Sequence, residues 1–150
     1  MSTSLPAHRP AVVPYLLVDR ARDLIPFIES VFDADVLGSM DRPDGSLGHA
    51  EIRIGDAMVM IGEPMGELAS MPGMVYVTVD DCDAAYRRAL DAGATSLMEV
   101  THMHHAGERY GGVTDLAGNV WWIATHVEDV SWEEQARRVD ALTDQNRDDG

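Results

Sequence analysis

Residues 48–61 have the sequence GHAEIRIGDAMVMI, in which a glycine and an aspartate join two short segments. Apolar and charged side chains alternate along residues 50–54, which predicts a β-strand with one face against a core. Residues 57–61 are apolar throughout and predict a returning strand, and the intervening Gly55 and Asp56 are typical of a turn. The stretch therefore predicts two neighbouring strands at the end of a larger unit.

Three further elements are predicted before these strands. Residues 12–18 are mostly apolar and predict a short strand. Asp23 is a candidate N-cap for a helix that extends to Phe32, because apolar residues recur at helical spacing between them. Residues 35–40 predict another strand. The first part of the chain therefore has the predicted order βαβββ.

The same order recurs after residues 63–73, which are rich in Gly and Pro and predict a linker. The second set of strands is predicted at residues 74–79, 94–100, 110–114 and 120–125, with a helix that ends at Gly93. Residues 58–61 align with residues 120–123, and the two halves as a whole align at a spacing of about 60 residues. The predicted fold is α+β, with two tandem βαβββ units that form a curved mixed sheet around a cleft.

A C-terminal helix is predicted to follow, because residues 131–134 form the capping-box pattern SWEE. The residues after Thr143 have a composition typical of disorder. The predicted organisation is an N-terminal extension at residues 1–10, a first unit at 11–62, the linker at 63–73, a second unit at 74–127, and the helix with a disordered tail at 128–150.

Composition limits the class of function. The chain has 150 residues and a formal net charge of −15. This charge argues against nucleic-acid binding, whereas it suits solubility and is compatible with a cationic ligand. No apolar run is long enough to span a membrane and residues 1–10 lack a signal region, so a cytoplasmic protein is expected. The single Cys82 excludes an internal disulfide, and we expect it to be a small buried residue at a helix start.

Several stretches resemble the PhnB-like branch of the vicinal oxygen chelate superfamily, which includes glyoxalases, bleomycin-resistance proteins and dioxygenases. They are GHAEIRIGD at residues 48–56, VTVDDCDAA at 77–85, GERYGGVTD at 107–115 and GNVWWIATHVEDV at 118–130. The resemblance covers residues 11–139 and implies the tandem βαβββ fold. It also implies a homodimer in which units pair across chains to complete the clefts.

The resemblance also implies where a metal would bind. Metal-dependent members take His, Gln or Glu ligands from the first and last strands of each unit. The corresponding residues here are Val13, Met60, Met74 and Trp122, and none is a ligand for a hard divalent cation. We therefore expect no metal site at these positions and no other cofactor.

His102 and His104 form a separate candidate metal site. The two side chains share a face if their segment is extended, and imidazole pairs bind Zn and Ni. No third ligand follows at a fixed spacing, so a polar surface loop is the competing interpretation.

The strand at residues 49–54 provides the candidate catalytic residues. Its apolar side chains are expected to face a helix, which leaves His49 and Glu51 on the concave side of the sheet. These two could act as an acid–base pair or hold a polar group of a ligand. The competing interpretation is a solvated sheet face with mixed charges.

Strand parity extends this candidate cleft to further residues. The candidate ligand-binding residues are Tyr15, Met60, Met74, Tyr76, Tyr110 and Trp122. Aromatic rings together with methionine suit a flat apolar or aromatic ligand, and a positively charged one would also match the acidic chain. The competing interpretation is that these side chains fill the cleft as core.

Three functions remain open, and the sequence does not decide whether the protein is an enzyme. The first is a small-molecule-binding protein of the glyoxalase/bleomycin-resistance type without the metal site, which sequesters a toxic or antibiotic compound. The second is a metal-free enzyme that uses His49 and Glu51 as an acid–base pair. The third is a metal-dependent lyase or isomerase that uses His49, His102 or His104. The fold alone cannot choose among them, since one scaffold supports many chemistries.

Overall fold

The computed structural model describes residues 9–149. Its elements are β1 (Tyr15–Leu17), α1 (Ala21–Phe32), β2 (Asp35–Asp41), β3 (Leu47–Ile54), β4 (Ala57–Gly62), β5 (Met74–Thr78), α2 (Cys82–Asp91), β6 (Thr95–Met103), β7 (Glu108–Thr114), β8 (Val120–His126) and α3 (Trp132–Asp148). The order βαβββ occurs twice, which confirms the predicted duplication and the α+β class. None of the helices within this range has the length and apolar composition of a membrane span.

Each unit forms a four-stranded mixed sheet with the same topology. The strand orders are β1-β4-β3-β2 and β5-β8-β7-β6, and the first strand of each unit is parallel to the last. Tyr15 pairs with Met60 in the first sheet, and Tyr76 pairs with Trp122 in the second. Met60 and Trp122 are therefore equivalent residues, as the alignment of the two halves predicts.

The two units share one hydrophobic core. Trp121 of β8 is fully buried, and its ring centroid lies 5.3 Å from that of Phe32 and 6.2 Å from that of Phe27. Both phenylalanines belong to α1 of the other unit. Arg88 of α2 also donates a 2.8 Å hydrogen bond to the carbonyl of Val31 at the end of α1. Contacts between units therefore include both aromatic packing and a helix-end hydrogen bond.

A buried carboxylate fixes the turn between β7 and β8. The side chain of Asp115 accepts hydrogen bonds from the backbone N–H groups of Ala117 and Asn119, from the Asn119 amide, and from the Trp121 indole. The Asn119 side-chain oxygen in turn accepts from the N–H of Gly73. This network satisfies every buried polar group that it contains and ties the turn to the chain segment that leads into β5.

The ends of two helices differ from the sequence-based expectation. α1 begins at Ala21, so the prediction that Asp23 caps it was wrong. Arg20 has a left-handed backbone (φ 62°) that turns the chain into the helix, and Asp23 lies in the first turn and pairs with Arg20. The expected disorder after Thr143 was also wrong, because α3 continues to Asp148.

None of the residues of α3 is buried, so core packing contributes little to this helix. Capping and ion pairs stabilise it instead. The Ser131 hydroxyl accepts a hydrogen bond from the N–H of Glu134, as the capping box predicts. Arg138 pairs with Glu134 one turn away and with Glu128 before the helix. A polar composition after Thr143 is compatible with such a solvated helix as well as with disorder, and composition alone does not separate the two.

Candidate functional site

The candidate residues lie on the face of each sheet opposite the helices, which we call the open face. In β3, Ile52 is fully buried in the core, whereas His49 and Glu51 point the other way and are only partly buried. In β8, Trp121 is buried and the adjacent Trp122 is partly exposed. Alternation along the strands therefore places His49 and Glu51 on the first open face and Trp122 on the second.

The first open face carries a chain of polar contacts, which we call the His49 cluster (Arg9, Tyr15, His49 and Glu51). The Tyr15 hydroxyl lies 3.1 Å from His49 Nδ1, and His49 Nε2 lies 3.6 Å from Glu51 Oε2. Arg9 donates to the other carboxylate oxygen, Glu51 Oε1, through Nε at 3.1 Å and through a terminal nitrogen. The imidazole thus lies between a hydroxyl and a carboxylate.

The charge of Glu51 sets the proton arrangement in the His49 cluster. Hydrogen bonding from Arg9, with a smaller contribution from its charge, holds the pKa of Glu51 below its usual range. The ionised carboxylate favours a proton on His49 Nε2, which faces it. In that tautomer, Nδ1 carries no proton and accepts a hydrogen bond from the Tyr15 hydroxyl.

The second open face carries an aromatic cluster (Tyr76, Tyr110 and Trp122). The Tyr110 ring centroid lies 6.0 Å from that of Tyr76 and 5.8 Å from that of Trp122, and both contacts are edge-on. Trp122 lies over Gly112, where an added Cβ would come within 2.6 Å of the indole. The absence of a side chain at Gly112 lets the indole lie across the sheet and face outward. The three rings form a surface on which a flat ligand could stack.

Glu108 and His126 were missed by the sequence analysis, although they extend the same open face. Glu108 precedes Tyr110 by two residues in β7, and its Oε1 lies 3.0 Å from His126 Nδ1. His126 Nε2 lies 2.6 Å from Asp129 Oδ1. Glu108 Oε2 is buried and has no hydrogen-bond partner in the part of the chain that the structure describes. Glu108 lies two positions from Tyr110, so strand alternation would have placed both side chains on the same face. The contact of Glu108 with His126 depends on the register in which β7 and β8 pair.

Electrostatics distinguish the second open face from the first. Burial, with a smaller contribution from the Glu108 carboxylate, raises the pKa of Tyr76 to about 12. Hydrogen bonds to Glu108 and Asp129 raise the pKa of His126 above its ordinary value. The Tyr76 hydroxyl therefore stays protonated at neutral pH.

The predicted site residues fall into two groups, one on each sheet. Tyr15, His49 and Glu51 contact one another, and Met60 pairs with both Tyr15 and Glu51 in the sheet. Tyr76, Tyr110 and Trp122 form the second group, and the exposed Met74 begins the same strand as Tyr76. The side-chain contacts among these residues join members of one sheet. A single cleft that includes both groups stays a prediction.

The residues at the superfamily's metal positions do not fit a metal. Val13, Met60, Met74 and Trp122 offer no nitrogen or oxygen ligand for a hard divalent ion. His102 lies in β6 and not in a loop, and its ring centroid is 6.1 Å from that of His104. Within residues 9–149, no three His, Cys, Asp or Glu side chains come together in a group that could hold a metal ion.

Two tandem βαβββ units define the vicinal oxygen chelate fold. The family model described as Glyoxalase/Bleomycin resistance protein/Dioxygenase superfamily matches residues 10–123, and the chain belongs to this superfamily. An uncharacterised protein of Mycobacterium bovis is 36% identical over 136 residues, covering 83% of this chain and 89% of the relative. A Mycobacterium tuberculosis H37Rv protein is also 36% identical over 136 residues, covering 83% of this chain and 79% of the relative.

Solved structures share the fold at low sequence identity. TioX from Micromonospora sp. ML1 has a TM-score of 0.65 and 22% identity, with 79% of this chain and 99% of TioX covered. The PhnB protein from Bacillus cereus has a TM-score of 0.62 and 17% identity, with 77% and 99% covered. The fosfomycin resistance protein FosX from Listeria monocytogenes, solved with Mn(II), has a TM-score of 0.61 and 16% identity, with 93% and 99% covered. These similarities support the fold and agree with the predicted PhnB-like resemblance.

Proposed function

We propose that the protein is a cytoplasmic small-molecule-binding protein of this superfamily that works without the superfamily's metal and sequesters a toxic or antibiotic compound. The observation that carries this proposal is the aromatic cluster on the second open face. Tyr76 is 51% exposed there, and Trp122 is supported from beneath by Gly112. Exposed aromatic rings that are already packed against one another can stack on a ligand with little loss of side-chain entropy.

Two further observations support binding without metal. The residues at the superfamily's metal positions are apolar or thioether side chains, which cannot activate a carbonyl or a water through a divalent ion. The fold is shared with a protein named for fosfomycin resistance, although that protein was solved with Mn(II). The name of that protein suggests that one use of the fold is to act on antibiotics. Because the residues at the metal positions of this chain are not metal ligands, we propose that this chain binds a compound without metal chemistry.

The ligand class that fits the second open face is aromatic and positively charged. Glu108 Oε2 is buried without a hydrogen-bond partner among the described residues, and such an oxygen is costly to leave unpaired. The partly exposed Glu108 carboxylate would attract the charge of a cationic ligand, while Tyr110 and Trp122 would contact its ring. The net charge of −15 would also attract such a ligand.

We also propose a homodimer, as the superfamily resemblance implies. Both open faces leave apolar side chains in contact with solvent, including Tyr15, Met74 and Tyr76. Trp132 at the start of α3 is 82% exposed. Pairing of the chains across the open faces would cover the aromatic cluster and complete a cleft around it.

A thermal-shift screen combined with elemental analysis tests the proposed function. A ligand that binds only the native state raises the unfolding temperature in proportion to the logarithm of its concentration. We expect planar aromatic amines to raise it and matched neutral aromatics to raise it less. We expect the purified protein to hold less than one equivalent of Zn, Ni, Mn or Fe. A full equivalent of metal that resists mild chelation, or stabilisation by none of the aromatic compounds, would contradict the proposal.

The His49 cluster favours a second candidate function, a metal-free enzyme. Its contacts place an imidazole between the Tyr15 hydroxyl and the ionised Glu51 carboxylate, which is an arrangement that can move a proton. A metal-dependent lyase or isomerase has less support, because His49 lies in the first sheet, whereas His102 lies on β6 of the second sheet and His104 in the turn after it. Turnover of a compound found in the screen would favour the enzyme over sequestration.

A further inference from the structure

The internal repeat provides a comparison between two tyrosines. Tyr15 pairs with Met60 on the first sheet, and Tyr76 pairs with the equivalent Trp122 on the second. The two tyrosines are similarly exposed, at 45% and 51%. Tyr15 contacts His49, whereas Tyr76 contacts Tyr110, which has no basic group. Equivalent positions in one fold thus place one tyrosine against a base and the other against a phenol.

We infer that Tyr15 is the group that exchanges a proton with a molecule bound on the first open face, with His49 as its proton acceptor and Glu51 as the positioning residue. This goes beyond sequestration, which needs no proton transfer. It also differs from a direct acid–base role for Glu51, because Arg9 occupies one oxygen of that carboxylate and His49 lies near the other.

The proton path follows the contacts. A ligand group gives its proton to the Tyr15 oxygen, and the original Tyr15 proton moves to His49 Nδ1 across the 3.1 Å contact. The imidazole then carries both ring protons and a positive charge, which the Glu51 carboxylate 3.6 Å from Nε2 stabilises. The ligand loses one proton and His49 gains one, so no oxidant or further reactant is needed. The reverse transfer returns the proton at another atom of the ligand.

Gly62 makes the contact between Tyr15 and His49 sterically feasible. A Cβ at residue 62 would lie 2.8 Å from the Tyr15 hydroxyl oxygen and 2.9 Å from the carbonyl oxygen of Gly48. Leu17 pairs with Gly62 in the first sheet, and Thr78 pairs with the equivalent Ala124 in the second. Of these two equivalent positions, only the one in the first unit is a glycine. This is the unit in which Tyr15 extends across β4 to contact His49 on β3.

The chemistry of the pair indicates the class of substrate. With the His49 proton on Nε2, the Tyr15 hydroxyl donates to Nδ1, and its oxygen lone pairs remain free to accept from a ligand. A partner with a weakly acidic proton suits this arrangement, such as a hydroxyl of an enol or phenol, or a C–H next to a carbonyl. The first open face is thus suited to proton abstraction, and the second to aromatic stacking.

Acetylation by N-acetylimidazole tests the activation of Tyr15 in the intact protein. The tyrosine oxygen takes the acetyl group and imidazole leaves, while His49 accepts the phenolic proton and returns it to the leaving imidazole. Peptide mass spectrometry would give the rate at each tyrosine. At neutral pH we expect Tyr15 to react about tenfold or more faster than the similarly exposed Tyr76. This rate factor is smaller than the usual contribution of a general base.

Variants separate base assistance from simple exposure. His49→Gln should reduce the Tyr15 rate by about tenfold or more relative to the unaltered protein, and Glu51→Gln should reduce it by a smaller factor. His102→Gln removes an exposed histidine on β6 and should leave the Tyr15 rate unchanged. Circular dichroism would show that each variant is folded. An equal rate at Tyr15 and Tyr76 in the unaltered protein, or a Tyr15 rate that His49→Gln leaves unchanged, would overturn the inference. Neither result would affect the aromatic cluster of the second sheet, so failure here is distinct from failure of the proposed function.

Discussion

The indole N–H of Trp121 donates a 2.8 Å hydrogen bond to the buried carboxylate of Asp115. The same carboxylate also accepts from two backbone N–H groups in the turn and from the Asn119 amide. One side chain thus holds the turn before β8 and the most buried aromatic residue of the core in a fixed relationship. The relationship is structural, because Trp121 faces the helices and the candidate site lies on the other side of the sheet.

Asp115→Ala should therefore lower stability without acting on the open faces. The substitution leaves several buried donors without an acceptor, and we expect a loss of about 3 kcal/mol or more in the free energy of unfolding. Urea denaturation monitored by circular dichroism would measure it. Asp129→Ala is the matched control, since that fully exposed carboxylate makes only a surface ion pair. A small loss for Asp115→Ala, similar to that of the control, would show that the turn network is not a major source of stability.

The packing of α1 on Trp121 predicts that the two units unfold together. Phe32 is buried between the units, and Phe32→Ala should cost about 3–5 kcal/mol. In the unaltered protein, tryptophan fluorescence and circular dichroism should give one coincident transition. Two transitions with different midpoints would indicate that each unit is stable by itself and that the shared core contributes little.

His126 should make stability depend on pH. Its pKa is raised in the folded protein by hydrogen bonds to Glu108 and Asp129, so protonation favours the folded state. This contribution is fully present below the unfolded value of about 6.5 and is lost as the pH rises through the higher folded value. The difference in unfolding temperature between the unaltered protein and His126→Gln should therefore shrink toward zero as the pH rises from 6 to 9. A difference that grows with pH would reverse the assigned sign.

The proposed homodimer should be visible by light scattering. We expect a mass of two chains at micromolar concentration, because each open face leaves aromatic and methionine side chains exposed. Trp132→Asp on α3 and Tyr76→Asp on the second open face would show which surface forms the contact. A single-chain mass at these concentrations would count against the dimer and against a cleft shared between chains.

Local patterns were sufficient for the fold and for part of the site. Alternation in residues 50–54 identifies the faces of β3, because each buried residue there is two positions from the next. The match between Met60 and Trp122 follows from the repeat and needs no knowledge of pairing.

Long-range contacts explain what the sequence did not reveal. Arg9 reaches Glu51 over 42 positions, and Glu108 meets His126 only because β7 and β8 pair in one particular register. Neither contact has a local sequence pattern. The sequence also did not reveal the role of Asp115. The residues around it have the composition of an ordinary turn, and its burial depends on packing with Trp121.

Quenching of tryptophan fluorescence tests the central proposal, that an aromatic ligand binds the second open face, most directly. An aromatic amine selected by thermal shift would be titrated into the unaltered protein, into Trp122→Phe and into the control Trp132→Phe. We expect saturable quenching with one ligand per chain that is lost in Trp122→Phe and retained in Trp132→Phe. Equal quenching in Trp122→Phe and the unaltered protein would place the ligand elsewhere and contradict binding at the second open face.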